Sequence, residues 1–134
     1  MNIVIDTNIV ISGVFFGGYP KKILEAVIDG RFCACSNKEI LNEYYEIINE
    51  MIDRKQGRIN KKILDEFIAS VHVIKSSSSF DICRDPDDNK FINCAVDAAA
   101  LYITSGDKDL LDIGNFRNIQ IVTAKFFCEK FIES

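Results

Sequence analysis

Short apolar runs alternate along this chain with longer segments whose apolar residues recur at helical spacing, and that alternation narrows the fold more than any other feature. Ile3-Val4-Ile5 is an uninterrupted β-branched run, as expected of a strand buried on both faces of a parallel sheet. After a turn region at Gly13–Gly18, Pro20 can sit in the first turn of a helix carrying Ile23, Leu24, Val27 and Ile28, and Gly30 stops it. Phe32 to Cys35 reads as a second strand. Ser36 or Asn37 can then cap a helix with the stripe Ile40, Leu41, Tyr44, Ile47, Ile48, Met51 and Ile52.

The chain breaks around Gly57. A helix from about Lys61 to Ser70 leads into a strand at Val71–Ile74, and the serines Ser76–Ser79 form a loop. Asp85-Pro86-Asp87-Asp88 turns into a helix with Phe91, Ile92, Ala95 and Ala99 on one side. Leu101–Thr104 is a strand, Gly106 a turn and Asp109–Asp112 a short helical turn. Ile119–Val122 is the last strand, before a C-terminal helix through Phe126, Phe127, Phe131 and Ile132. Strands alternating with helices predict an α/β sandwich with a largely parallel sheet. The 134 residues fit one domain spanning 1–134.

No apolar run reaches the roughly 18 residues of a membrane-spanning helix. The first residues, Met1 to Asp6, also lack the basic lead and apolar stretch of a secretory signal. A soluble, cytoplasmic protein without membrane contact is expected. The five cysteines, Cys33, Cys35, Cys83, Cys94 and Cys128, are scattered, form no C-x-x-C pair and have only His72 for company. They read as reduced packing residues, and His72, in an apolar run, as structural. The net charge of −4 argues against binding nucleic acid by bulk electrostatics. A cluster of carboxylates is itself a source of such charge, and a bound cation inverts its local effect.

In parallel α/β sheets, chemistry gathers outside the carboxyl ends of the strands. Asp6 stands there directly after Ile3-Val4-Ile5, and Asp107 just past Leu101–Ser105 and Gly106. Asp88 is placed to open a helix. Asp88 and Asp107 could each be no more than an N-cap. Asp6 is harder to account for, because Thr7-Asn8 is not an obvious helix start and a buried acid needs a partner. Residues on a helix advance by about 100° each, so Asp88 projects with Phe91 and Ala95 while Asp97 faces solvent. On the preceding long helix Glu43 and Glu50 lie at similar angles to the stripe, and periodicity does not choose between them.

The whole pattern resembles the PIN domains, and more narrowly the group of them labelled as toxin components of toxin–antitoxin systems. The matching segments run from Ile3-Val4-Ile5-Asp6-Thr7-Asn8 through Ser36-Asn37-Lys38-Glu39-Ile40-Leu41-Asn42-Glu43-Tyr44 and Arg84-Asp85-Pro86-Asp87-Asp88-Asn89-Lys90-Phe91. They continue with Thr104-Ser105-Gly106-Asp107-Lys108-Asp109-Leu110-Leu111 and Ile121-Val122-Thr123. The resemblance implies a three-layer α/β/α sandwich with a central, mainly parallel sheet and a Mg²⁺- or Mn²⁺-dependent ribonuclease site. Its acids would be Asp6, Glu43, Asp88 and Asp107, which is what selects Glu43 over Glu50. Asp85 and Asp87 rival Asp88, and Asp109 could join or replace Asp107. Asn8 would support the site by hydrogen bonding, as would the hydroxyl of Thr7 or Ser105.

Hard carboxylate oxygens suit Mg²⁺ or Mn²⁺, and such an ion can activate water for attack on a phosphodiester. By the same resemblance the products would carry 5′-phosphate and 3′-hydroxyl ends. The toxin likeness implies an antitoxin that covers the acidic cleft, and many PIN domains form homodimers. To hold an RNA substrate, the cations Arg54, Lys55, Arg58, Lys61 and Lys62 cluster around Gly57. A solvated inter-helix connection reads equally well. Two alternatives stay open: a PIN-fold binding module that cleaves nothing, and a phosphatase or phospho-receiver domain. A haloacid-dehalogenase-type phosphatase would want an Asp where Asn8 stands, and a receiver would want an acid pair that is not apparent.

Overall fold

A computed structural model describes residues 1–54 and 57–133. The strands are β1 (Asn2–Ile5), β2 (Cys33–Ser36), β3 (His72–Val73), β4 (Tyr102–Thr104), β5 (Asn115–Phe116) and β6 (Ile119–Val122). The helices are α1 (Thr7–Phe15), α2 (Gly18–Ile28), α3 (Lys38–Asp53), α4 (Lys61–Ser70), α5 (Asn89–Asp97), α6 (Lys108–Ile113) and α7 (Ala124–Phe127), which continues as a π-helical turn over Cys128–Ile132. The sheet runs β3-β2-β1-β4-β6-β5. Every pairing is parallel except β5 with β6, and helices flank the sheet in an α/β/α sandwich.

β1 lies at the centre because it is apolar on both faces: Ile3, Val4 and Ile5 are all buried. Each fully buried side chain of this size contributes about 1.5–3 kcal/mol. β1 pairs with β2 on one side and β4 on the other, so chain order reverses there. Reversal opens a crevice at the carboxyl ends of the strands. α5 buries Phe91, Ile92, Cys94 and Ala95, and α3 is pinned to the sheet by a hydrogen bond from the Tyr44 hydroxyl to the Ile5 carbonyl. No helix among the described residues is long and apolar enough to cross a membrane.

Several local expectations need correction. The expected turn at Gly13–Gly18 is largely helix: α1 runs through Gly13, and only Gly17 and Gly18 take the left-handed φ of a turn. Gly13 serves packing instead, since a Cβ there would lie 2.5 Å from Leu24 Cδ1. α5 ends at Asp97, so Ala99 is not on its apolar side but exposed at φ 52°. Asp97 is not simply solvated: it accepts hydrogen bonds from Ser77 and Ser78 and ties down the serine loop. Burial pushes its pKa up, but these bonds outweigh it and hold it below the usual carboxylate value. β5 was not foreseen. It hairpins onto β6 through Arg117 and Asn118, both at positive φ, the signature of a tight two-residue turn.

All five cysteines are free, with Cys33 and Cys35 Sγ atoms 4.0 Å apart on one side of β2 as alternation requires. His72 is exposed on the short edge strand β3.

Candidate active site

Asp6 sits at the junction of β1 and α1. Its N–H bonds the Thr104 carbonyl at 2.9 Å, and its own carbonyl accepts from the amides of Ile9 and Val10. Its side chain makes no cap bond to α1. Instead Oδ2 accepts the Ser105 hydroxyl at 2.6 Å, and Ser105 Oγ in turn accepts the Asp107 N–H at 2.9 Å. An ionised carboxylate can only accept, so the Ser105 proton goes to Asp6 while a lone pair on the same oxygen receives the Asp107 N–H. Asn8 Oδ1 accepts the Gly106 N–H at 3.2 Å. The corners after β1 and β4 are thereby stitched together, with Asp6 and Asp107 in adjoining positions.

Asp6 is only 5% exposed. Burial pushes its pKa up to about 6; the Ser105 hydroxyl and the adjacent Thr7 amide act the other way, while the charges of Glu43 and Asp107 add to the rise. Asp88 behaves similarly. Burial first, then a hydrogen bond and charge from Asp107, then the charges of Asp6 and Asp85 push it up to about 7. Lack of water and each other's negative charge make both carboxyls harder to ionise than ordinary ones.

The 85–88 turn separates two roles that the sequence left merged. A 3₁₀ turn at Pro86–Asp88 precedes α5, and Asp85 caps it by accepting the Asp87 N–H at 3.0 Å. Asp88 makes no cap bond, so capping does not explain its side chain. Asp107 does cap: its Oδ1 accepts the Asp109 N–H at 3.1 Å. Asp109 lies 3.9 Å from Arg84 in a loose ion pair.

Glu43 projects from α3 into the same crevice, while Glu50 is exposed. Both of its oxygens have partners. The Thr7 hydroxyl donates to Oε2, and the Lys90 ammonium stands 2.8 Å from Oε1. Lys90 is the residue that sequence reasoning missed. Its side chain is 4% exposed, and besides Glu43 it meets Asp87 Oδ2 at 3.0 Å and the Asp87 carbonyl at 2.8 Å. Burial works against its charge, yet the bonds to Glu43 and Asp87 prevail and hold its pKa above the ordinary lysine value. A lysine on a helix dominated by polar spacing gives no signal of burial; only the pairing of α3 with α5 encloses it.

Asp6, Glu43, Asp88 and Asp107 all line one cavity of about 520 Å³, together with Thr7 and Asn8. Apart from Ser12, its other walls are apolar: Ile11, Ile47, Met51, Phe91 and the exposed ring of Phe16. Asp85, Asp87, Asp109 and Ser105 do not line it. Ser105 reaches it only through Asp6. The donor set is all carboxylate oxygen, which suits Mg²⁺ or Mn²⁺, and the raised carboxyls would be relieved by a cation. Among the described residues, however, no three acidic, histidine or cysteine side chains stand around one point closely enough to hold an ion as they are.

The basic cluster is solvated. Arg54, Arg58, Lys61 and Lys62 are exposed, Lys62 pairs with Glu66 at 3.9 Å, and Lys55 lies outside the described residues. Gly57 connects this segment to the cavity mouth, because a Cβ there would meet Phe15 and Phe16 at 3.2 and 3.6 Å.

Comparison with known proteins agrees with this architecture. The family described as PIN domain matches residues 2–109. The uncharacterized protein MJ1680 of Methanocaldococcus jannaschii is 34% identical, over 98% of this chain and 92% of that protein. A chain in the crystal structure of VapBC2 from Rickettsia felis bound to a DNA fragment from their promoter superimposes with a TM-score of 0.60 at 15% identity. That match covers 90% of this chain and 97% of the other. At that identity it speaks for the fold alone.

Proposed function

The chain belongs to the PIN-domain family, and from that premise we propose that it is a divalent-metal-dependent endoribonuclease, the toxin of a type II toxin–antitoxin pair. The observation that carries the proposal is the meeting of Asp6, Glu43, Asp88 and Asp107, from four separate segments, in one cavity at the carboxyl edge of a parallel sheet. A gathering of like charges around the buried Asp6 has little structural justification without a cation to neutralise it.

In this reading Asp6, Glu43, Asp88 and Asp107 hold Mg²⁺ or Mn²⁺. When bound, the ion supplies activation of water and charge neutralisation at the phosphodiester. Ser105 fixes the Asp6 carboxylate through its hydroxyl, and Asn8 fixes the loop that presents Asp107. Thr7 and Lys90 hold Glu43. Asp85, Asp87 and Asp109 serve as cap, ion-pair partner and loop anchor. The apolar walls around Phe16 exclude water from one side of the cavity. Arg54, Arg58, Lys61 and Lys62, with Lys55 between them, contact phosphates of the RNA. An antitoxin covers the cleft, a homodimer is the working assembly, and the protein acts in the cytoplasm.

The test is incubation of purified protein with labelled RNA and DNA in Mn²⁺, Mg²⁺ or chelator, beside Asp6→Asn. Expected is metal-dependent RNA cleavage that the substitution lowers by on the order of 100-fold or more. Cleavage that persists in chelator, or in Asp6→Asn, overturns the reading. A second reading, a PIN fold that binds without cleaving, draws on the engagement of Glu43 by Lys90. No metal-dependent cleavage of any nucleic acid would favour it.

A further inference from the structure

Among the described residues, Glu43 is the one acid of the four with an ammonium beside it. The Lys90 ammonium has three N–H donors, and three acceptors stand within 3.0 Å of it: Glu43 Oε1, Asp87 Oδ2 and the Asp87 carbonyl. With its side chain 4% exposed, it has no room to swing away into water. Asp87 is 68% exposed and can be solvated without Lys90, whereas Glu43 is 22% exposed and faces the cavity. An ammonium built into the wall therefore occupies an acid that a cation in the cavity would share.

We propose that Lys90 is a positioning residue that competes with the divalent cation for Glu43 and so holds down the site's affinity for the free ion. This rests on the nuclease reading above. Two effects of Lys90 oppose each other. It aims Glu43, but the Thr7 hydroxyl also does so from the other oxygen, and the rotamer freedom at stake is small. It also claims Oε1 of that carboxylate in a charge-assisted hydrogen bond, in a poorly solvated place where the attraction is weakly screened, so that a doubly charged ion meets a ligand already engaged. The charge effect is the larger. The cation thus binds loosely by itself, and phosphate oxygens of the substrate are needed to complete its hold.

The experiment measures Mn²⁺ binding to the metal-free protein by electron paramagnetic resonance, with no RNA present. The variants are Lys90→Met, Lys90→Arg and, as a control, Lys22→Met on the exposed pair with Glu133. Expected is Mn²⁺ binding about tenfold tighter in Lys90→Met, near the wild-type value in Lys90→Arg, and within about twofold of it in Lys22→Met. In a Glu43→Gln background the Lys90→Met effect should shrink to about twofold or less, because the ammonium acts through Glu43. Should Lys90→Met fail to fold, Lys90→Gln, which keeps a donor without the charge, carries the same expectation. Unchanged or weaker Mn²⁺ binding in the folded neutral variant overturns the inference, as does an undiminished effect in the Glu43→Gln background. Absence of Mn²⁺ binding from the wild type and every variant instead overturns the metal-dependent reading itself.

Discussion

The two halves of the cavity solve the same electrostatic problem in opposite ways. On one side, Asp6, Asp88 and Asp107 face each other with hydroxyl and amide donors for company, and Asp6 and Asp88 are pushed up to about 6 and about 7. On the other, Glu43 and Asp87 share a buried lysine. The paired half is complete as folded. The unpaired half keeps raised carboxyls that protons or a cation would neutralise. Breaking each half should therefore move stability in opposite directions.

The largest effect is expected from the paired half. Removing one partner of a fully buried ion pair costs roughly 3–5 kcal/mol. Glu43 and Asp87 keep access to water, so Lys90→Met should destabilise by about 2–3 kcal/mol, read as a lower midpoint in urea with an unchanged slope. A loss under about 0.5 kcal/mol would put Lys90 among ordinary surface pairs and erase the contrast between the halves.

The unpaired half should respond with the other sign. A carboxyl whose folded pKa is raised binds protons more tightly in the folded state than in the unfolded one. The metal-free protein therefore loses stability as pH rises from near 4 through about 6, the folded value of Asp6. Asp6→Asn keeps an acceptor for the Ser105 hydroxyl without the charge. Above pH 7 in chelator it should stabilise by on the order of 2 kcal/mol, and near pH 4 it should make little difference. Asp88→Asn should act in the same direction and less strongly, being more exposed. Thermal melts of wild type and variants at pH 4 and pH 8 read this directly. Equal melting shifts at both pH values would mean that burial of Asp6 is not the source of strain.

How much of this was legible from residues alone follows from range. The strand β1 and the helices α2, α3 and α4 announce themselves by spacing, and Asp6 by its place at a strand end. The resemblance, not periodicity, chose Glu43 over Glu50, because that choice depends on how α3 is rolled against β1, which the Tyr44 hydroxyl fixes. Lys90 was silent because a buried charge is written in the partner's segment, not its own. Helix α1 was hidden by Gly13, whose lack of a side chain marks close contact with Leu24 rather than a turn. The hairpin of β5 was hidden by its shortness.

The smallest effect separates neighbours in one turn. Asp85 and Asp88 stand three residues apart, both acidic, both rivals for the same role, yet one caps the turn and the other faces the cavity. Asp85→Ala loses a single cap bond at an exposed site and should cost about 0.5–1 kcal/mol, with Mn²⁺ affinity within about threefold of wild type at ordinary salt, because its charge is solvated and screened. Asp88→Ala should show the inverse pattern: no cap is lost, a raised carboxyl is removed, and Mn²⁺ binding falls by on the order of tenfold or more. Parallel melting curves and Mn²⁺ titrations of the two variants make the comparison. If Asp85→Ala weakens Mn²⁺ binding as much as Asp88→Ala does, the division between capping acid and cavity acid fails, and the turn as a whole has to be counted within the site.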